Sequence, residues 1–192
     1  MRLSRRFNRL PALLVAPALL VGCSSMPVTS MVKLARTDFA AIDPAVLRVA
    51  VKLPEGVRPL PRSVTLRLTV TVAGAAPVVQ EYVLADLADP GEIAGLRGEV
   101  TKGMAVWAYR LDPADVARVT AARRDMLARK ERGERGSLAI GVGAKACRTD
   151  AAPQRVLLTT YLKTEPDGGF FPLLRDVDLQ DVPGAGELPP CG

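Results

Sequence analysis

Histidine is absent from this 192-residue chain, and that removes much of the chemistry a small protein can carry. Without imidazole there is no Ser-His-Asp or Cys-His nucleophile and no imidazole-bound metal. Carboxylates are left for acid–base work. Asp176, Asp178 and Asp181 cluster near the C-terminal end, and in an extended segment Asp176 and Asp178 would share a face, close enough to raise one pKa or to share a hard cation. Their Pro and Gly surroundings favour a solvated acidic edge instead. If any two of Asp176, Asp178, Asp181, Glu165 and Glu187 converged in a concave pocket, a carboxylate-dependent glycan-processing enzyme would become the reading. Gly141-Val142-Gly143-Ala144-Lys145 has the composition of a phosphate loop but lacks its spacing and its terminal Ser or Thr. There is no dinucleotide fingerprint, calcium loop or CxxC pair, so neither a cofactor nor a metal is expected, and catalysis is the weaker of two readings.

The three cysteines carry more information. Arg2, Arg5, Arg6 and Arg9 precede an apolar run from Leu13 to Val21, which stops at Gly22-Cys23-Ser24-Ser25. A basic segment, a short apolar core and a small-residue junction are the parts of an export signal. At 1.5 Å per residue the run reaches only about half way across a hydrocarbon core, too short for a permanent membrane helix. The junction Leu20-Val21-Gly22-Cys23 resembles the lipobox of bacterial lipoproteins: an aliphatic residue, a variable one, Gly or Ala, then Cys. The resemblance covers Met1 to Ser24. It implies a diacylglyceryl thioether on Cys23, cleavage before it and acylation of the new terminus, with a lipid bilayer as the first partner. One acyl chain binds a membrane only marginally, whereas two or three anchor stably. Ser24 stands where Asp would retain the protein at an inner membrane, so the resemblance also implies outer-membrane sorting with the domain in the periplasm.

From Cys23 onward 170 residues remain, enough for one domain with its own core. Without the four signal arginines there are 22 Lys plus Arg against 20 Asp plus Glu, a net of +2. Nucleic acid is therefore not an expected partner. The expected organisation is a signal peptide over residues 1–22, a lipidated terminus and flexible tether over 23–41, and a single β-rich domain over 42–192. An exported compartment permits Cys147 and Cys191 to pair. The bridge would pin the Gly- and Pro-rich tail to the body and contribute at most roughly 4 kcal/mol by chain entropy.

The elements that must position these groups are mostly strands. Leu47 to Leu53 alternates, with Leu47, Val49, Val51 and Leu53 on one side and Arg48 and Lys52 on the other. Val64 to Val72 repeats the pattern, Gly74-Ala75-Ala76-Pro77 turns the chain, and Val78 to Leu84 supplies an antiparallel partner. Glu92 to Val100 reads as either a short helical turn or a loop. Met104 to Leu111 returns to strand with Trp107 and Tyr109 on one face, either as a recognition platform or, as is commoner for rings of that size, filling the sheet's core or supporting its edge. Leu138 to Ala146 carries Ala139, Gly141 and Gly143 on one side, leaving room for another element to approach. Arg155 to Lys163 is apolar on both faces, as a central strand is, and Pro172 confines Phe170 to Leu174 to an edge.

Between Leu111 and Gly133 the period changes to that of a helix. Asp112 is the N-cap, Pro113 occupies N1, and Val116, Val119, Arg123, Met126 and Leu127 lie along one side, surrounded by Arg118, Arg124, Arg129, Lys130 and Arg132. The basic face fits either anionic headgroups or solvent coverage. The fold class expected is mainly β: an antiparallel sandwich-like or curved sheet of about seven strands with one inserted amphipathic helix, or alternatively an α+β sheet with one covering helix. The function expected is a non-catalytic binding or structural role at the cell envelope, with an envelope protein as the further partner.

Overall fold

The computed structural model describes residues 27, 29–30, 42–182 and 186–192. The signal segment, Cys23 and most of the expected tether lie outside the described residues. Within the tether, Ser30 is buried and donates its N–H to the carbonyl of Pro27 at 2.9 Å.

Among the described residues nine strands follow one another: β1 (Arg48–Pro54), β2 (Val57–Pro59), β3 (Thr65–Val72), β4 (Val78–Asp86), β5 (Met104–Leu111), β6 (Gly136–Gly143), β7 (Ala146–Arg148), β8 (Leu157–Lys163) and β9 (Phe171–Asp178). A long helix, α1 (Pro113–Glu131), is inserted between β5 and β6. Seven strands form one antiparallel sheet in the order β6-β3-β4-β5-β1-β8-β9, while β2 and β7 make a separate two-stranded ribbon. β4 pairs with β3 from Val78 to Val83 and with β5 only from Leu84 to Asp86. A strand that changes partner part-way along turns a corner. The fold is thus mainly β, a curved half-barrel with one inserted helix.

The concave side holds the main core, built from alternate residues such as Val49, Val51, Leu66, Tyr82, Leu111 and Leu162. Trp107 packs against that core and Tyr109 belongs to it, as their shared face required. β8 lies between β1 and β9, and β9 is an edge, in keeping with the apolar residues on both sides of β8 and with Pro172.

Helix α1 starts as its capping residues dictate. The Asp112 carboxylate accepts from the Ala114 N–H at 2.9 Å, Pro113 occupies the first turn, and Asp115 meets Arg118 at 2.6 Å. It stops where Gly133 adopts φ 78°, with the Glu134 N–H returning to the Arg129 carbonyl at 3.1 Å. Arg118 also lies over the Tyr82 ring, 5.0 Å from its centroid. Only the first half of the expected stripe reaches the core: Val119 is buried and Val116 packs against the cluster, while Met126 and Leu127 are half-buried and belong to neither core cluster.

Several details differ from, or add to, what the sequence pattern implies. The side of β1 that carries Arg48 and Lys52 is covered by the crossover from β4 to β5, whose Glu92 and Glu99 meet these two cations. That crossover contains a 3-10 helix, Ala94–Glu99, which resolves the ambiguity over Glu92 to Val100. Its Leu96 and the preceding Leu87 bury against Ala50, Ala108 and Tyr161 as a second, smaller core. β2 and β7 escaped the sequence reading because three residues cannot display a period. Finally, among the described residues no element packs on Gly141, where an added Cβ would meet nothing within 4 Å.

Candidate functional site

The strongest convergence of polar groups lies under the crossover, on the convex face of the sheet. The antiparallel register sets Lys52 beside Thr159 and Ala50 beside Tyr161. The 3-10 helix then lowers Glu99 onto this row. The Tyr161 hydroxyl donates to Glu99 Oε2 at 2.6 Å, the Lys52 ammonium reaches the same oxygen at 3.2 Å, and Arg175 of β9 approaches Oε1 at 3.9 Å. One strand position further, Arg48 is paired with Glu92 and also donates to the Ala45 carbonyl at 2.6 Å.

The electrostatics follow from these contacts. The Tyr161 hydrogen bond, ahead of the Lys52 and Arg175 charges, holds the Glu99 carboxyl below its ordinary value against the opposing effect of burial. Burial first, and the adjacent Glu99 carboxylate second, push the Tyr161 phenol far up. At neutral pH Glu99 is therefore an anion and Tyr161 a hydrogen-bond donor. Glu99 gathers a phenol and an ammonium at once, which makes the group a clasp that fixes the crossover to the sheet. A phenol pushed this far up is a poor proton shuttle near neutrality.

The same crossover walls a groove of about 340 Å³, lined by Leu87, Ile93, Leu96, Val100, Val106 and Trp107. It opens where β4 leaves β5: the Leu87 N–H makes the last rung, to the Ala108 carbonyl at 2.8 Å. The lining is apolar apart from Asp86 and Arg97, a composition suited to binding rather than to proton transfer.

The expected acidic group is placed differently. β9 carries two register shifts against β8, and Asp176 falls within the one between Leu174 and Val177, in the left-handed region at φ 52°. Its N–H donates to Thr159 Oγ1 at 3.1 Å, and that hydroxyl donates back to its carboxylate at 3.3 Å. Asp178 accepts from the Gln180 N–H at 3.0 Å and from Arg155 at 2.8 Å. The backbone hydrogen bond, and then Arg155, hold its carboxyl below the usual range, opposite to what a shared carboxylate site would produce. Asp181 closes the following 3-10 turn, Leu179–Asp181. Among the described residues no group of three or more His, Cys, Asp or Glu side chains is arranged to hold a metal.

Cys147 and Cys191 form a disulfide, with Cα atoms 4.9 Å apart. The tail runs alongside β7, with the Arg148 N–H donating to the Pro189 carbonyl at 2.8 Å and the Cys191 N–H to the Arg148 carbonyl at 2.9 Å. Cys23 is outside the described residues. No described helix is long and apolar enough to cross a membrane.

The clasp was missed by sequence reasoning. Alternation tells which side of β1 Arg48 and Lys52 take and nothing about what covers that side. A usable signal was present: two glutamates, Glu92 and Glu99, on a segment that also carries Ile93 and Leu96 at a spacing able to reach two strand cations. No protein-family model matches this chain, and no curated protein sequence and no solved structure matches it.

Proposed function

We propose that this chain is an envelope protein held at a bilayer by lipid on Cys23, and that its domain acts by binding or by bracing a partner rather than by catalysis. The observation that carries the reading is the sequence Leu20-Val21-Gly22-Cys23 at the end of a short apolar run. The Cys147–Cys191 bridge supports export, since such bonds persist in oxidising compartments and are rare in reducing ones. Ser24 in place of Asp favours the outer membrane, with the domain in the periplasm. The binding role draws support from the apolar groove beside β5 and from the mutual engagement of the buried ionisable groups. No observation favours the glycan-processing reading, because Asp176 and Asp178 are engaged by Thr159 and Arg155.

The test is the mass of the first peptide of the protein purified from its native membrane. A diacylglyceryl-modified Cys23 is expected, and Cys23→Ser should abolish lipid labelling and either release the domain or strand the precursor. An unmodified thiol at a processed terminus, or an intact leader, would sink the proposal.

A further inference from the structure

Among the described residues β6 pairs with β3 alone and leaves its outer edge without a strand. The Ala73 N–H donates to the Arg135 carbonyl at 2.9 Å, and Thr71 pairs with Ser137, Thr69 with Ala139 and Arg67 with Gly141. This phase directs the backbone groups of the odd-numbered residues toward β3. Gly136, Leu138, Ile140 and Val142 therefore turn their N–H and C=O groups away from the sheet, which ends at β6. Among the described residues no backbone partner meets them. Such a row is a template for another strand unless charge, proline or a bulge blunts it, and from Gly136 to Gly143 the sequence Gly-Ser-Leu-Ala-Ile-Gly-Val-Gly has no charge and no proline. The ladder with β3 runs without a register shift over all eight residues. Ala139, Gly141 and Gly143 keep one side low, with open space beyond Gly141, which leaves room for β-branched side chains on an incoming strand.

Charge selects the occupant. Arg135 and Lys145, both exposed, bracket the uncharged edge. Residues 129–145 carry five cations against two carboxylates, and one of the two, Glu134, is already shared by Arg129 at 3.3 Å and Arg132 at 2.8 Å. Antiparallel pairing of two copies of β6 would bring the Arg135 end of one onto the Lys145 end of the other, a like-charge encounter at both ends. A strand with acidic ends meets attraction at both. We infer that the β6 edge binds an extended, acidic-ended segment of a partner protein by strand addition, with an uncharged β-branched centre opposite Leu138 to Val142. This rests on the reading of the domain as a binding module and is independent of the anchor.

Hydrogen exchange on the full chain in detergent tests it, with two synthetic peptides sharing a Thr-Val-Thr-Val-Thr centre, one with two Glu at each end and one with two Lys. With the acidic peptide at roughly ten times its Kd, exchange at the Leu138, Ile140 and Val142 amides should slow by about tenfold, and the basic peptide should give no protection. The double variant Arg135→Glu with Lys145→Glu, which leaves the strand untouched, should reverse that preference. Ile140→Pro, which removes one of the edge donors, should abolish protection. Equal protection by both peptides, no protection by either, or concentration-dependent protection without peptide, the mark of a second copy, would each overturn the inference. A failed anchor would show instead as unmodified Cys23 by mass spectrometry and leave the exchange result standing.

Discussion

The two edges of the one sheet follow opposite plans. β9 carries proline at Pro172, charges at Arg175, Asp176 and Asp178, a left-handed residue at Asp176 and two register shifts. Each is a recognised way to stop a sheet from recruiting another strand. β6 has none of them, although both edges close the same sheet. The difference extends one layer inward: next to β9, Tyr161 is nearly inaccessible and tied to Glu99, whereas the face next to β6 is lined by Thr65, Arg67 and Thr69 in β3 and stays largely open. The fold thus concentrates its buried polar order at one end of the sheet and leaves the other end available.

Damage to the clasp should therefore be the most costly single change. Tyr161→Ala removes a ring that is 1% exposed, together with the donor that Glu99 accepts. A loss of about 3–5 kcal/mol is expected from the cavity alone, read as a lower urea midpoint. Tyr161→Phe keeps the ring and removes only a hydrogen bond to a charged acceptor, so it should cost about 1.5–3 kcal/mol. Equal losses in the two variants would mean that the hydroxyl, not the packing, holds the crossover down. A loss below 1 kcal/mol in Tyr161→Ala would remove the asymmetry between the two ends.

Acid should separate the ends by a smaller margin. The Glu99 carboxyl is held below its ordinary value, chiefly by Tyr161, so the folded state binds that proton less readily than the unfolded chain. Its stabilising contribution is complete above the ordinary glutamate range near 4.5 and disappears as pH falls through the lower folded value. Between pH 6 and pH 3 the urea midpoint of the wild type should fall more steeply than that of Glu99→Gln. Glu81, in β4 near the open end, is also held low, first by its hydrogen bond from Thr65 and then by Arg67. It is exposed and screened by water, and Glu81→Gln should leave the profile close to wild type. Parallel profiles for the wild type and Glu99→Gln would refute the clasp as an acid-sensitive contact.

What the sequence revealed of these two ends depended on periodicity. β3, β5 and the first turns of α1 were legible because alternation over eight residues, or a cap followed by proline, has few structural solutions. Met104–Leu111 and the Asp112 cap fell where the pattern put them. The pairing of Cys147 with Cys191 was legible because a Gly- and Pro-rich tail of this composition needs a staple. The corner in β4 was not: Val78 to Asp86 reads the same whether it keeps one partner or changes from β3 to β5. Nor was the clasp, since Glu99 gains its meaning only from the register that sets Lys52 beside Thr159. Asp176 gives no local sign of a positive φ, and its bulge depends on its partner strand rather than on its neighbours in the chain. The uncharged run in β6 was visible from the start, but its place at the edge was not.

The smallest expected effect bears most directly on why β6 is left bare. Gly141 sits mid-strand with open space where a side chain would project, and glycine in a strand interior loses about 0.5–1 kcal/mol relative to alanine through backbone entropy. Gly141→Thr should therefore stabilise the fold by about 0.5–1 kcal/mol, with a β-branched residue in a register that faces Arg67. A gain in the urea midpoint would mean that glycine is kept here at the expense of stability, as expected if the low surface serves an incoming strand. The same variant should then weaken binding of the acidic peptide while its backbone donors stay in place. A loss of stability would mean that β6 is bare for reasons internal to the β3–β6 ladder, and the two edges would differ in sequence without differing in purpose.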